Sequence, residues 1–252
     1  VTASLAQQLT ALGLHAVASE LDDFVARATQ KRWGPVEVIT HVAELEIAER
    51  ARRSVERRMK RSRLGRFKPM ADFEWNWPTR IDRDAVEGVV NLDFLPDKRN
   101  VVLVAAQGLG KTMVAQNIAH QAVQKGHTAL FITASQMLLD LCSQDSARAL
   151  ERRLKHYERP TVLCIDEVGY LPYDARNADL LFQVVSRRYE EKPLVLTTNL
   201  AFGDWAHAFP NAACATALID RIVHHAEVIT IEGKSYRRRA AEEHAKKPKP
   251  KK

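Results

Sequence analysis

The segment Ala105-Ala106-Gln107-Gly108-Leu109-Gly110-Lys111-Thr112 closes the apolar run VVLVA (101–105) and opens an apolar-periodic stretch through Val114, Ile118 and Val123. A polyphosphate needs several backbone N–H groups converging on it, and therefore a chain that can curl without side chains in the way. Gly108 and Gly110 supply that freedom, and the helix that follows adds the positive end of its dipole. In this strand, loop and helix setting, Gly108, Leu109, Gly110, Lys111, Thr112 and Met113 are the expected nucleotide-binding residues. Lys111 would reach the β- and γ-phosphates and Thr112 would offer its hydroxyl to Mg²⁺. The phosphate-loop pattern starts on glycine, whereas this chain has Ala105. Either that position needs no positive φ or the loop is altered.

A second motif, TVLCIDE (161–167), places an acid pair behind four apolar residues. The carboxyl end of a buried strand in an open α/β sheet lies where ligands bind. Asp166 is therefore expected to hold the Mg²⁺ and its water shell, and Glu167 to orient or deprotonate an attacking water. Alone, the first motif could be a Gly-rich turn and the second an exposed strand end; their pairing argues for ATP and Mg²⁺. At the end of the run PLVLTTN (193–199), Asn199 is chosen over Thr197 and Thr198 as the polar group facing the γ-phosphate or the water. A plain turn signal competes with that assignment.

The elements that must carry these residues are legible from periodicity. Five β-rich runs, VVLVA (101–105), TALFIT (128–133), TVLCID (161–166), PLVLTTN (193–199) and EVITIE (227–232), alternate with helical stretches. That alternation predicts a doubly wound parallel sheet, α/β in class. Upstream, Leu5, Leu9, Leu12, Leu14, Leu21, Phe24 and Val25 recur near helical spacing. After Gly34-Pro35 a second stripe runs through Val38, Val42, Leu45, Ala48 and Val55. The expected organisation is a small helical N-terminal domain (1–68), a connector (69–99) with a short helix capped by Asp82, the α/β domain (100–240) and a basic, disordered tail (241–252).

The 252 residues, 46% hydrophobic and 27% charged, can bury a sizeable core and exclude a fibre or a disordered chain. No apolar run reaches the ~18–20 residues of a membrane span. The first twenty residues do not read as a secretory signal, so no membrane partner and a cytoplasmic location are expected. Three scattered cysteines, Cys142, Cys164 and Cys214, fit reduced thiols better than a disulfide framework. The net charge of +7 is concentrated: Arg50 to Lys68 holds ten basic residues against Glu56 alone. On a helix, Arg50, Arg53, Arg57, Arg58, Lys60 and Arg61 would form a cationic surface, expected to bind DNA through phosphates with little base reading. A solvated face is the competing account. A second basic set, Arg148, Arg152, Arg153, Lys155 and Arg159, is the alternative DNA surface.

Together AAQGLGKT, CIDEVGYLPY, ADLLFQVVSRRYE, LTTN and ALIDRIVHHAEVITIEGKSYR resemble the IstB-type ATPases, over about residues 100–239. These are transposition helper proteins of insertion sequences, akin to DnaC-type helicase loaders among the AAA+ ATPases. The resemblance implies a P-loop AAA+ core with a five-stranded parallel sheet. It also implies an ATP-controlled homo-oligomer on double-stranded DNA that recruits or activates a partner transposase. Arg221, in the IDR motif, resembles the arginine finger directed at a neighbouring subunit's γ-phosphate, and Arg237, in SYR, the second sensor. A surface arginine pairing with Asp220 or Glu227, and a plain basic patch, are the respective alternatives. Where relatives have Gly then Pro, this chain has Ala105-Ala106. A helicase loader and a hydrolysis-deficient nucleotide-gated scaffold stay open as other functions.

Overall fold

The computed structural model of the chain describes residues 3–170, 173–210 and 212–236. Its contacts divide it into two compact units at Arg57/Arg58. In the first unit, α1 (Leu5–Ala11) begins with a capping box in which Ser4 and Gln7 satisfy each other's backbone N–H groups. The short helix α2 (His15–Ser19) and helix α3 (Leu21–Lys31) follow, and α4 (Pro35–Ser62) crosses the division. No local side chain caps α2; instead Oε1 of the buried Glu46 accepts from the N–H groups of Ala16 and Val17 at 2.7 and 3.1 Å. Val17 and Phe24 are buried, but Leu5, Leu12 and Val25 of the anticipated stripe are exposed, as are Val36, Ile39 and Ile47.

In the second unit, residues 69–99 pack as part of the α/β body. Helix α5 (Arg83–Asn91) is capped by the Asp82 carboxylate, which accepts from Ala85 N–H at 2.9 Å, and Val86, Val89 and Phe94 are buried. The chain then alternates β1 (Asn100–Ala105), α6 (Lys111–Gln124), β2 (Ala129–Thr133), α7 (Ala134–Cys142), α8 (Ala147–Glu158), β3 (Val162–Val168), α9 (Ala175–Arg188) and β4 (Leu194–Thr198). It ends with α10 (Trp205–Ala208), α11 (Ala212–Val223) and β5 (Ala226–Ile231). All strand pairs are parallel, in the order β2-β3-β4-β1-β5, which is the anticipated five-stranded sheet. Val101, Val102, Leu103, Val162, Leu163, Ile165 and Val195 are fully buried, as a sheet covered on both faces requires. Cys164 lies in that core, where burial pushes its thiol well above the usual range.

Arg188, at the end of α9, is 1% exposed. Its two terminal nitrogens donate to the carbonyls of Tyr157, Glu158, Pro160, Thr161 and Pro193 at 2.8–3.2 Å. It thereby joins the chain entering β3 to the chain entering β4. Residues 241–252, expected to be a disordered tail, lie outside the described residues.

Candidate nucleotide site

The strand order puts β1 between β4 and β5 with β3 one place further, so the loop after β1 and the acids of β3 open on the same sheet edge. Gly108 and Gly110 both take left-handed backbone, φ 79° and 93°, and Gly110 caps α6. A Cβ on Gly110 would stand 2.6 Å from Cε2 of Phe73, so the ring requires glycine there as much as φ does. Ala105 is the last residue of β1, in register with Ile231, and is not among the positive-φ residues. Alanine is therefore accommodated at this position without strain.

Lys111 Nζ donates to the carbonyls of Ala105 and Ala106 at 2.5 and 2.9 Å, arched over its own loop. Thr112 Oγ1 donates to Asp166 at 3.0 Å (Oδ2). Asp166 is buried, 4% exposed, and also accepts the hydroxyl of Thr197. The next residue, Glu167, takes φ 61°, costly for a residue with a Cβ, at the point where the β3–β4 register shifts between Ile165 and Val168. Its side chain is exposed, while its N–H donates to Thr197 Oγ1 at 3.0 Å. One hydroxyl thus bonds the Asp166 carboxylate and the Glu167 backbone, a contact of Thr197 that the choice of Asn199 does not anticipate. Asn199 lies just beyond β4, exposed, and Thr198 Oγ1 is occupied by the N–H of Leu200 at 3.1 Å.

Beside the loop is a cleft of about 390 Å³ whose apolar wall includes Phe67, Phe73, Trp77, Leu109, Met113 and Tyr236. Tyr236 N–H donates to the Gly108 carbonyl at 3.0 Å and its hydroxyl to Glu74 at 2.8 Å. Trp77 Nε1 donates to the Lys234 carbonyl at 2.7 Å. Segments before β1 and after β5 thus close on each other over the phosphate loop. The aromatic cluster between residues 67 and 77 was the available signal; its long-range partners carry no sequence mark.

Arg221 stands elsewhere. Its guanidinium lies 4.3 Å from the Phe182 ring and donates to Ser186 Oγ, while Glu227, the other candidate partner, pairs with Arg99 at 3.2 Å. The neighbouring Ile222 carbonyl accepts from Asn100 Nδ2 at 2.9 Å, at the start of β1. The phosphate loop leaves the other end of that strand, about 17 Å away at ~3.3 Å per residue. Arg221 borders a depression of about 160 Å³ lined also by Asp97, Lys98, Tyr189, Glu190 and His225. Arg237 lies outside the described residues.

Of the expected DNA-binding residues, Arg50, Arg53, Arg57, Lys60 and Arg61 are exposed on α4, and Arg58 is half-buried there. Arg53 is engaged by Glu49 at 2.5 Å, and Arg52 by Glu49 and Glu56 at 2.7 and 2.5 Å. Hydrogen bonds from Arg52 and Arg53 hold the Glu49 carboxyl at about 2, well below the usual carboxylate range. An acid one residue ahead of the basic run therefore offsets part of its charge. In the alternative set, Arg153 pairs with Asp140 and Lys155 with Glu151 at 3.8 Å, leaving Arg148, Arg152 and Arg159 exposed.

The all-parallel sheet, the glycine loop after β1 and the acids ending β3 define a P-loop protein of AAA+ architecture. The IstB-like ATP binding protein family matches residues 7–244, and the chain belongs to that family. It is 36% identical over 203 residues to a protein of insertion sequence IS5376 from Geobacillus stearothermophilus, covering 81% of each chain. It is 32% identical over 229 residues to one of IS21 from Pseudomonas aeruginosa, covering 91% of this chain and 86% of that one. The crystal structure of DnaI shares the fold, with a TM-score of 0.55 at 19% identity over 65% of this chain and 90% of DnaI. Among the described residues, no helix is long and apolar enough to cross a membrane.

Proposed function

We propose that this protein is an ATPase of an insertion sequence. In this reading it binds ATP, assembles as a homo-oligomer on double-stranded DNA and recruits or activates a partner transposase. The observation that carries the nucleotide part is the Thr112–Asp166 contact at 3.0 Å, beneath a loop whose lysine is already arched over it. A hydroxyl and a carboxylate, both hard oxygen donors, suit Mg²⁺; Thr112 and Asp166 would hold it, and it would supply positive charge against the phosphates. Lys111 turns from the loop carbonyls to the phosphates, and Gly108 to Thr112 present backbone N–H groups. The aromatic cleft takes the base. Glu167 orients the attacking water and accepts its proton, at a place set by the N–H bond to Thr197.

Arg221 cannot serve its own phosphate loop from the far edge of the sheet, which supports its action on a neighbouring subunit. The basic stretch of α4 supports phosphate contact with DNA. The strain-free backbone at Ala105 supports a working phosphate loop over a scaffold that has lost hydrolysis. The test compares Lys111→Ala with Glu167→Gln: the first is expected to weaken ATP binding, the second to keep binding and stop turnover. Equal loss of binding in both would sink the division of roles. Capture of a transposase encoded beside this gene, as against a replicative helicase, separates the transposition reading from that of a helicase loader.

A further inference from the structure

Asn117 is a polar residue inside α6, 7% exposed, and is not part of the phosphate loop. Its Oδ1 accepts from Met70 N–H at 3.1 Å, and its Nδ2 donates to the carbonyls of Lys68 at 2.9 Å and Met113 at 2.8 Å. Both amide donors and the acceptor are used, two of the three bonds reaching a segment more than forty residues upstream. Asparagine is a poor residue for a helix interior, so its presence there is explained by those bonds.

The segment it holds borders the cleft on both sides: Arg66 and Phe67 before it, Asp72 and Phe73 after it, with the Phe73 ring against Gly110. Immediately upstream is the basic stretch Arg58 to Lys68. There Ser62 and Leu64 are buried, and Arg63 and Gly65, with φ 58° and 60°, turn the chain from the end of α4 into the cleft wall. A group filling the cleft would meet a wall that continues directly into the cationic stretch.

We infer that Asn117 is a positioning residue that makes occupancy of the base cleft felt in the placement of residues 58–68. This rests on the nucleotide reading above and adds the joint through which bound ATP would act on the DNA-facing segment. It works through the wall and touches no phosphate.

The experiment follows amide hydrogen exchange of peptides spanning residues 63–74, with Mg²⁺ and either a non-hydrolysable ATP analogue or inorganic tripolyphosphate. Tripolyphosphate can reach Lys111 and Thr112 but cannot fill the base side. In the wild type, the ATP analogue is expected to slow exchange by about fivefold or more, the lower end of ordinary site-to-site coupling, and tripolyphosphate is not. In Asn117→Ala the protection is lost while tripolyphosphate affinity stays within about twofold, a change worth under 0.5 kcal/mol. Asn117→Ser can keep the bond to the Met113 carbonyl one turn back but cannot reach Lys68 or Met70. It should behave like Asn117→Ala, separating the wall contact from helix packing. Retained protection in either variant, or equal weakening of both ligands, overturns the inference. A wild type that binds both ligands without protection overturns it alone, whereas a wild type that binds neither takes down the nucleotide reading with it.

Discussion

The two edges of the sheet treat charge in opposite ways. At the carboxyl edge, Lys111 Nζ rests on loop carbonyls, the Asp166 carboxylate accepts from hydroxyls, and the Glu167 side chain is exposed. At the amino edge, Arg188 is sealed among five carbonyls, and Arg221, half-buried, rests on a ring and a single hydroxyl. Identical side-chain chemistry thus gives a guanidinium enclosed by five carbonyls in one place and a half-buried one resting on a ring and a hydroxyl in another. What distinguishes them is the number of partners and the burial, neither of which residue type alone discloses.

The sharpest way to break this contrast is Arg221→Ala. If the amino edge completes a neighbour's carboxyl edge, DNA-stimulated hydrolysis should fall by about 10³–10⁵, with ATP affinity of the isolated chain unchanged. Mixing this variant with Lys111→Ala should restore part of the activity at hybrid interfaces. Full activity of Arg221→Ala alone would end the trans-acting role. Arg188→Met should instead leave the site chemistry alone and cost about 1–3 kcal/mol of stability, the range for buried acceptors left without their donor. Urea unfolding measures this, and a loss under 1 kcal/mol would mean that the carbonyls find water.

At the carboxyl edge, Thr197→Val should lower turnover by about 10², the lower end of what a positioned acid or base contributes, while ATP binding holds. Thr197→Ser should recover most of it. Full turnover in Thr197→Val with loss in Thr197→Ser would show that the methyl, not the hydroxyl, matters at this position. On α4, replacing the exposed Arg57, Lys60 and Arg61 with Gln should flatten the log–log salt dependence of DNA binding by up to about 2.7, at −0.9 per phosphate contact. An unchanged slope would move the DNA surface to Arg148, Arg152 and Arg159.

The smallest expected effect concerns His156, whose protonation is disfavoured by burial first and then by Arg153, Arg63 and Arg159, with Asp140 opposing. As pH falls below 6.5 the unfolded chain takes up the proton before the folded one. The stability this group contributes is thus present above 6.5 and lost as pH drops through its lower folded value. His156→Gln should remove that part of the slope in urea midpoints between about pH 5 and 7.

Much of this was legible in the chain. The phosphate loop, the acid pair, all five strands and the Asp82 cap depend on neighbours within a few residues, so periodicity and spacing disclose them. Thr197 was not legible, because the choice among Thr197, Thr198 and Asn199 depends on the register shift beside Glu167. Nor was the role of residues 69–99, whose lack of periodicity reads as a connector although Val86, Val89 and Phe94 are core. Glu46 capping α2 and Phe73 covering Gly110 are tertiary effects, whereas Glu49 engaging Arg53 is an i,i+4 pair within α4 that lies just outside the basic run. Each pairs residues whose types are ordinary where they stand.

The carbonyl set around Arg188 also bears on how the protein comes together in time. Its members belong to the approach to β3 and the approach to β4, so the full set exists only after those strands have met and α9 has docked. An interaction that closes late is weakly formed at the folding barrier and therefore acts on escape from the native state more than on arrival there. Arg188→Met should refold at nearly the wild-type rate and unfold much faster. The buried guanidinium would then govern how long a folded subunit lasts, a property that counts for a protein proposed to wait on DNA for a partner.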